Sequence, residues 1–374
     1  MKFSIVITTI FLPRVLGELA VNFRRYSREK EVEVIVIGDN KTPSETSEYV
    51  KRFAKDGFNF EYWDIEKQKQ WLKRFPELDD IIPYNTDNRR NVGYLVAYER
   101  GSDCLISMDD DNYPGDDDFM GGHARVGKTL RLPTVRSNSG WFNVCDMLEI
   151  EDGQRVYPRG YPYASRWVKD EAYEIDEAEG KIVVNAGLWL GDPDVDAVTR
   201  LNRPVNVLGL KRDILVLDPS TNCPFNTQNT AFHREILPAY YYVLMGESLG
   251  GLKIDRYGDI WSSYLSRKVI DRMGGRVSFG TPLTIHRRHD HDLLKDLGQE
   301  YWGMMLTNSL VVILEQIHLT NNSYFENYKE LSLKLEEKVS EQNGLSKEIK
   351  RYFYKICGNM RIWVDVCSAL DGSR

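Results

Sequence analysis

The sequence predicts an α/β fold, an open mixed sheet flanked by helices, with a helical appendage at its C-terminal end. Three observations predict it. Short apolar, β-branched runs alternate with helically spaced stretches from Phe3 to Asp111. Those runs end on Thr8 and Thr9, on Asp39 and Asn40, and on Asp109 to Asp111, and an open α/β sheet gathers its ligands beyond such strand ends. The segment from Asn321 to Arg351 is charged, proline-free and spaced as a helix, with Leu331, Leu335 and Val339 among its apolar positions.

Taken in order, Phe3 to Thr9 reads as a buried first strand and Val15 to Phe23 as a helix. Glu31 to Ile37 alternates briefly, becomes continuously apolar and stops at Gly38-Asp39-Asn40, the pattern of a parallel strand covered on both faces. Ser44 to Lys55 and Asn91 to Arg100 have helical spacing, and Cys104 to Met108 is an apolar run that ends abruptly in the acidic triplet. From Trp141 to Gly191 the chain is rich in Tyr, Trp, Gly and Pro, which predicts loops and short strands around a pocket. Tyr240 to Tyr242 reads as packing on a helix. An apolar stretch after Gly274 to Gly280 leads to His286.

With 374 residues and 42% hydrophobic side chains, the chain has material for a sizeable core. Its net charge of −7 argues against a general nucleic-acid binder, whose phosphate contacts need a basic surface. Six acidic residues, Asp109 to Asp111 and Asp116 to Asp118, carry nearly that whole excess, which suggests a cation site with Asp116 to Asp118 as its rim. The five cysteines follow no CxxC or zinc pattern and fit a reduced, cytoplasmic compartment. No apolar run is long enough for a membrane span. There is no GxGxxG after the first strand and no GxxxxGK[ST], so dinucleotide and P-loop chemistry are disfavoured.

Two aspartates separated by one residue at a strand end can hold a hard cation, Mn²⁺ or Mg²⁺, and leave positions for diphosphate oxygens. The cation would take up charge on a departing nucleoside diphosphate. An acidic turn that is simply solvated is the plain alternative. His286 is a further candidate ligand, with Arg287 and Arg288 beside it to meet diphosphate oxygens; the alternative is a basic surface patch.

Several segments together resemble one family, the reversibly glycosylated polypeptides of plants, which include UDP-arabinopyranose mutases and have the GT-A glycosyltransferase fold, a Rossmann-like sheet. They are Gly93-Tyr94, Ile106 to Asp111, Arg159-Gly160-Tyr161-Pro162-Tyr163-Ala164-Ser165-Arg166, Gly187 to Leu190 with Pro193-Asp194 and Asp196-Ala197, Asn229 to Phe232, Arg256 to Trp261, and His286. The resemblance implies residues 1–305 as a nucleotide-sugar domain, with 1–120 holding the nucleotide, 121–305 the catalytic and acceptor half, and 306–374 the helical region.

It further implies a UDP-sugar donor and a divalent metal held by Asp109, Asp111 and His286; the choice of His286 over His289 and His291 rests on the resemblance. Thr8, Thr9, Asp39, Arg90, Asp110, Trp189 and Asn229 are the candidate nucleotide-sugar contacts, and Asp259, Arg159 and Arg166 the candidate catalytic residues. Arg159 matches the arginine that becomes glycosylated. As a guanidinium it is a poor nucleophile while protonated, and a diphosphate or sugar clamp is the other reading for it and for Arg166. Asp259 is a candidate base or a helix cap. Two departures stand out. The family has paired aspartates where this chain has Gly258-Asp259, and a cysteine where it has Asn112. Glycosyl transfer to an acceptor of unknown kind is the leading reading, with a self-glycosylating mutase and a non-catalytic nucleotide-sugar-binding subunit as alternatives, and a homo-oligomer is one assembly open to the chain.

Overall fold

Phe3–Thr9 forms β1, whose β-branched side chains are buried on both faces because helices cover the sheet on either side. The structure is a computed structural model and describes residues 1–372. Then come α1 (Val15–Arg25), β2 (Val32–Gly38), α2 (Thr46–Lys55), β3 (Asn59–Trp63), α3 (Ile65–Leu72), α4 (Pro76–Ile81), α5 (Arg90–Glu99) and β4 (Cys104–Asp109). β1 lies between β2 and β4, β2 pairs with β3, and all these pairings are parallel. The register sets Thr8 beside Asp109 and Thr9 beside Gly38. The polar strand ends therefore meet along one edge of the sheet.

Beyond β4 the pairing turns mixed. β5 (Asn112–Pro114), α6 (Phe119–His123), β6 (Thr129–Ser137) and β7 (Leu148–Ile150) lead to the 19-residue β8 (Tyr173–Gly191). They are followed by α7 (Ala197–Asn202), β9 (Val207–Leu210), β10 (Ile214–Leu217), β11 (Asn229–His233) and a small hairpin of β12 (Ser248–Leu249) and β13 (Leu252–Lys253). α8 (Gly258–Arg272), β14 (Gly275–His286), α9 (Leu293–Glu315), α10 (Tyr324–Glu341) and α11 (Lys347–Gly372) complete the order. The main sheet runs β3-β2-β1-β4-β11-β8-β6-β10-β14-β5, and β8 also bonds to β14. This is an open mixed sheet flanked by helices.

Three local expectations are corrected. The long β8 stands where loops and short strands were expected. Its first half is a charged, exposed ribbon paired with β6, and its apolar second half is gripped between β11 and β14, so no one periodicity runs through it. Tyr240 to Tyr242 is buried but not helical; it leaves a short 3₁₀ turn, Arg234–Ala239, that contains Pro238. Asp116 and Asp118 do not rim a cation site. They pair with Arg25 and Arg28 at 2.7 Å each, and Asp118 also caps α6.

The C-terminal helices share a core with residues of the 121–305 stretch. Leu331, Leu335, Val339 and Phe353 belong to one apolar cluster with Ile236, Tyr241 and Trp261. The Trp261 and Phe353 rings stack at 5.5 Å, and Trp363 Nε1 donates to the Leu237 carbonyl at 2.9 Å. Among the described residues, no helix is long and apolar enough to cross a membrane. The five cysteines are buried and unpaired.

Trp363→Ala is expected to lower unfolding stability by about 3–5 kcal/mol, because it leaves a cavity where α11 meets the 3₁₀ turn. Urea unfolding checks this. A loss below about 1 kcal/mol would mean that α11 contributes little to the shared core.

Candidate active site

A cavity of about 220 Å³ opens at the strand-end edge, walled by Thr8, Thr9, Phe11, Asp39, Asp87, Arg90 and Asp109 to Asp111 among others. Arg90, buried at the start of α5, ties these ends together. Its Nη1 donates to Ser107 Oγ at 2.6 Å and to the Thr227 carbonyl at 3.0 Å, and its Nη2 donates to Thr8 Oγ1 at 2.8 Å and to Asp109 Oδ1. Thr9 Oγ1 donates to Asp110. Asp39 accepts backbone N–H groups from Asn40 at 2.7 Å and Asn85 at 2.6 Å, so both its oxygens are engaged in shaping the loop that forms the wall.

His286 reaches the acidic triplet through strand pairing. It lies beside Asn112 of β5 and Gly191 of β8, and its Nε2 sits 3.4 Å from Asp111 Oδ2. Nδ1 is 2.7 Å from the Asp192 carbonyl. A ring nitrogen committed to a carbonyl leaves the other directed at Asp111, an arrangement of the kind that orients histidine ligands of metals. Burial opposes charge on His286, yet Asp111 lifts its pKa above the ordinary imidazole value. Burial pushes the Asp109 carboxyl up to about 6, with Arg90 opposing and Asp111 and Asp87 adding repulsion.

This donor set of carboxylates and one imidazole fits Mn²⁺ or Mg²⁺ by its chemistry. Asp111 and His286 are brought together, whereas Asp109 is turned onto Arg90. Among the described residues, no group of three or more His, Cys, Asp or Glu side chains is assembled as a ready metal site.

A second chamber of about 80 Å³ shares Asp87, Arg90 and Asp109 with the first and is lined further by Arg159, Thr227, Gln228, Tyr242, Arg256 and Asp259. Arg159 spans its wall with every N–H committed. Nε and Nη2 donate to Asp194 at 2.8 and 2.9 Å, Nη1 and Nη2 to Asp259 at 3.1 and 3.0 Å, and Nη1 also to the Arg256 carbonyl. Burial works against this charge, but the two carboxylates raise the guanidinium pKa well above its ordinary value. In this state Arg159 holds two carboxylates of the protein, with no N–H left for a diphosphate or sugar, and a protonated guanidinium is a poor nucleophile. Gly160 makes the approach possible: its φ is +83° and a Cβ there would overlap Ile260 of α8. Asp259 is not the helix cap, since α8 is preceded by Tyr257 at that position, but it accepts the Ile260 N–H at 2.9 Å.

Besides His286, which meets Asp111 from outside the lining, three candidate residues lie outside both cavities. Arg166 pairs with Asp196 at 2.6 Å and stacks 3.8 Å over Tyr163, which anchors the loop that carries Arg159. Asn229 is wholly buried, meeting His123 Nε2 at 2.9 Å and donating to the Pro282 carbonyl at 2.9 Å. Trp189 packs in the core behind Arg159. Sequence reasoning passed over Asp87, Asp194, Arg256 and His289 as site residues. Asp194 and Arg256 stood in segments that carry the family resemblance, and His289, 3.5 Å from Asp110 and tilted against the Phe11 ring at 4.3 Å, stood beside His286.

The family model for reversibly glycosylated polypeptides matches residues 4–372. The chain belongs to the reversibly glycosylated polypeptide family. Within that family it is 30% identical over 321 residues to UDP-arabinopyranose mutase 1 of Arabidopsis thaliana, covering 84% of this chain and 81% of that protein. It is 28% identical over 326 residues to UDP-arabinopyranose mutase 1 of Oryza sativa subsp. japonica, covering 85% and 80%. Among solved structures, glucosyl-3-phosphoglycerate synthase from Mycobacterium tuberculosis in complex with Mn²⁺, UDP and phosphoglyceric acid is similar at a TM-score of 0.42, with 13% identity over 83% of this chain and 78% of that one.

This member of the family owes part of its stability near neutral pH to the Arg159–Asp194 pair and loses that part in acid. Burial alone would raise the Asp194 pKa, but Arg159 and Asn226 hold it at about 2, below the unfolded value of about 3.9. A depressed carboxylate stabilises the fold above its unfolded pKa and loses that contribution as pH falls through the folded one. Asp194→Asn is therefore expected to destabilise the protein near neutral pH and to flatten its loss of stability between about pH 4 and pH 2. Thermal unfolding across that range checks it, and parallel acid limbs in both proteins would contradict it.

Proposed function

We propose that this chain is a UDP-sugar mutase, which breaks the bond between the anomeric carbon and the diphosphate and returns the sugar to UDP in its other ring form. The observation that carries this reading is the polar chamber that shares Asp87, Arg90 and Asp109 with the strand-end cleft. A nucleotide along Thr8, Asp39 and Arg90 would project its sugar toward Asp259. The two cited relatives, at 30% and 28% identity, are named UDP-arabinopyranose mutases, and that supports a UDP-pentose as substrate.

Asp259 is the group suited to move protons. Arg159 fixes the direction of both its oxygens, and one of them can accept the proton of the sugar hydroxyl that becomes the new nucleophile and later return it. Arg90 sits where diphosphate charge develops and is already aligned by Thr8, Ser107 and Thr227. A divalent cation held by Asp111, His286 and Asp109 would take up the charge of the leaving diphosphate. Self-glycosylation at Arg159 would require the guanidinium to leave one carboxylate and lose a proton, so it belongs to a different state of the site.

A second reading, transfer to a separate acceptor hydroxyl with Asp259 as base, is favoured by one observation: Gly258 leaves Asp259 without the neighbouring carboxylate of the family pattern.

Purified protein with UDP-arabinopyranose and Mn²⁺ is expected to yield a mixture of ring forms of the nucleotide sugar, read by NMR, without stoichiometric UDP release. Asp259→Asn is expected to slow this by about 10²–10⁴-fold. UDP release that requires an added acceptor would replace the mutase reading with transfer. Binding without turnover of any UDP-sugar would leave a nucleotide-sugar-binding subunit. His286→Ala is expected to weaken metal-dependent binding of UDP, measured by calorimetry with and without Mn²⁺; an unchanged metal dependence would overturn its role as a ligand.

A further inference from the structure

Tyr242 differs from the two tyrosines before it. Tyr240 and Tyr241 are sealed in the core, where Tyr241 Oη accepts from Asn359 at 3.0 Å. Tyr242 is 4% exposed, and it lines the chamber that holds Asp87, Arg90, Arg159 and Asp259. Its main chain is fixed on both sides. The N–H donates to Asn91 Oδ1 at 2.9 Å, and the carbonyl accepts from Asn91 at 3.0 Å and Asn88 at 3.1 Å. Its ring lies 5.9 Å from the Arg90 guanidinium. The phenol makes no hydrogen bond with any described residue and, unlike the hydroxyls of Tyr240 and Tyr328, is not closed off from the cavity.

The same ring explains the glycine at 258. A Cβ at Gly258 would overlap the edge of the Tyr242 ring and come 2.8 Å from the Val243 carbonyl. Tyr242 therefore fills the space that a side chain at 258 would need. The chamber has a neutral hydroxyl at that wall and no carboxylate at position 258. Burial and the surrounding carboxylates keep this phenol protonated, so it is available as a donor.

We propose that Tyr242 is a sugar-contacting, specificity-determining residue, whose hydroxyl donates a hydrogen bond to an oxygen of the bound sugar and whose ring requires glycine at 258. The assignment rests on the placing of the sugar in this chamber. A site built to bond a substrate oxygen discriminates strongly when that bond is lost, because the remaining polar groups are left unpaired.

The test uses Tyr242→Phe, which removes one oxygen and keeps the ring against Gly258. The full-length wild type and variant are titrated calorimetrically with UDP and with UDP-arabinopyranose, each in Mn²⁺, and their thermal midpoints are compared. The expected result is unchanged UDP affinity, an unchanged midpoint, and about tenfold weaker binding of the nucleotide sugar. Equal binding of UDP-arabinopyranose by both proteins would overturn the Tyr242 assignment alone. Equal weakening for UDP and UDP-arabinopyranose would overturn it too, because the residue would then act on the nucleotide cleft and not on the sugar. A wild type that binds neither compound would overturn the reading of the cleft itself, and the assignment with it.

Discussion

The buried guanidinium of Arg159 is the constraint from which the rest of the site follows. A cation this enclosed is tolerable only if its donors are satisfied, and here Asp194, Asp259 and the Arg256 carbonyl take all of them. Those partners come from the turn after β8, the first turn of α8 and the residue two before that helix. Satisfying one side chain therefore fixes three separate pieces of chain relative to one another. Arg256 pays a backbone cost for its share, with φ at +63°, while its own side chain is held by Glu300 at 3.0 Å on α9.

The charge balance of the two cavities is unequal in a way that suits their contents. Around the strand ends, Asp87 and Asp109 to Asp111 face Arg90, His286 and His289, a surplus of acid that a divalent cation and a diphosphate would together complete. In the chamber the acids are matched by Arg90, Arg159 and Arg256, and Tyr242 adds a neutral wall. The first region thus carries a surplus of acid, and in the second acids and arginines balance. That division follows the polarity of a nucleotide sugar.

Much of the first region was legible in the sequence because its residues end apolar, β-branched runs, and a parallel sheet brings such ends to one edge. Thr8, Thr9, Asp39, Arg90 and Asp109 to Asp111 all line the cleft. His286 joins them through a pairing of β14 with β5 that no local pattern announces, so the family resemblance singled it out. The second region was harder to read. Asp194 and Asp259 are far from Arg159 in the chain, and neither sits in a periodic segment that reveals its direction. Trp189 and Asn229 lie on strands whose side chains enter the core, and a motif match does not say which face of a strand a residue occupies. Tyr242 escaped because three tyrosines in a row look alike until the turn containing Pro238 sets their directions.

The account stands on the sugar entering the chamber beside Asp259. A crystal structure of the full chain with Mn²⁺ and a UDP-sugar tests that most directly. The expected density places the diphosphate next to Arg90 and Asp111 and the sugar ring between Asp259 and Tyr242, with Arg159 still holding both carboxylates. A sugar ring turned away from Asp259 toward solvent, with the chamber unchanged and closed behind it, would contradict the account.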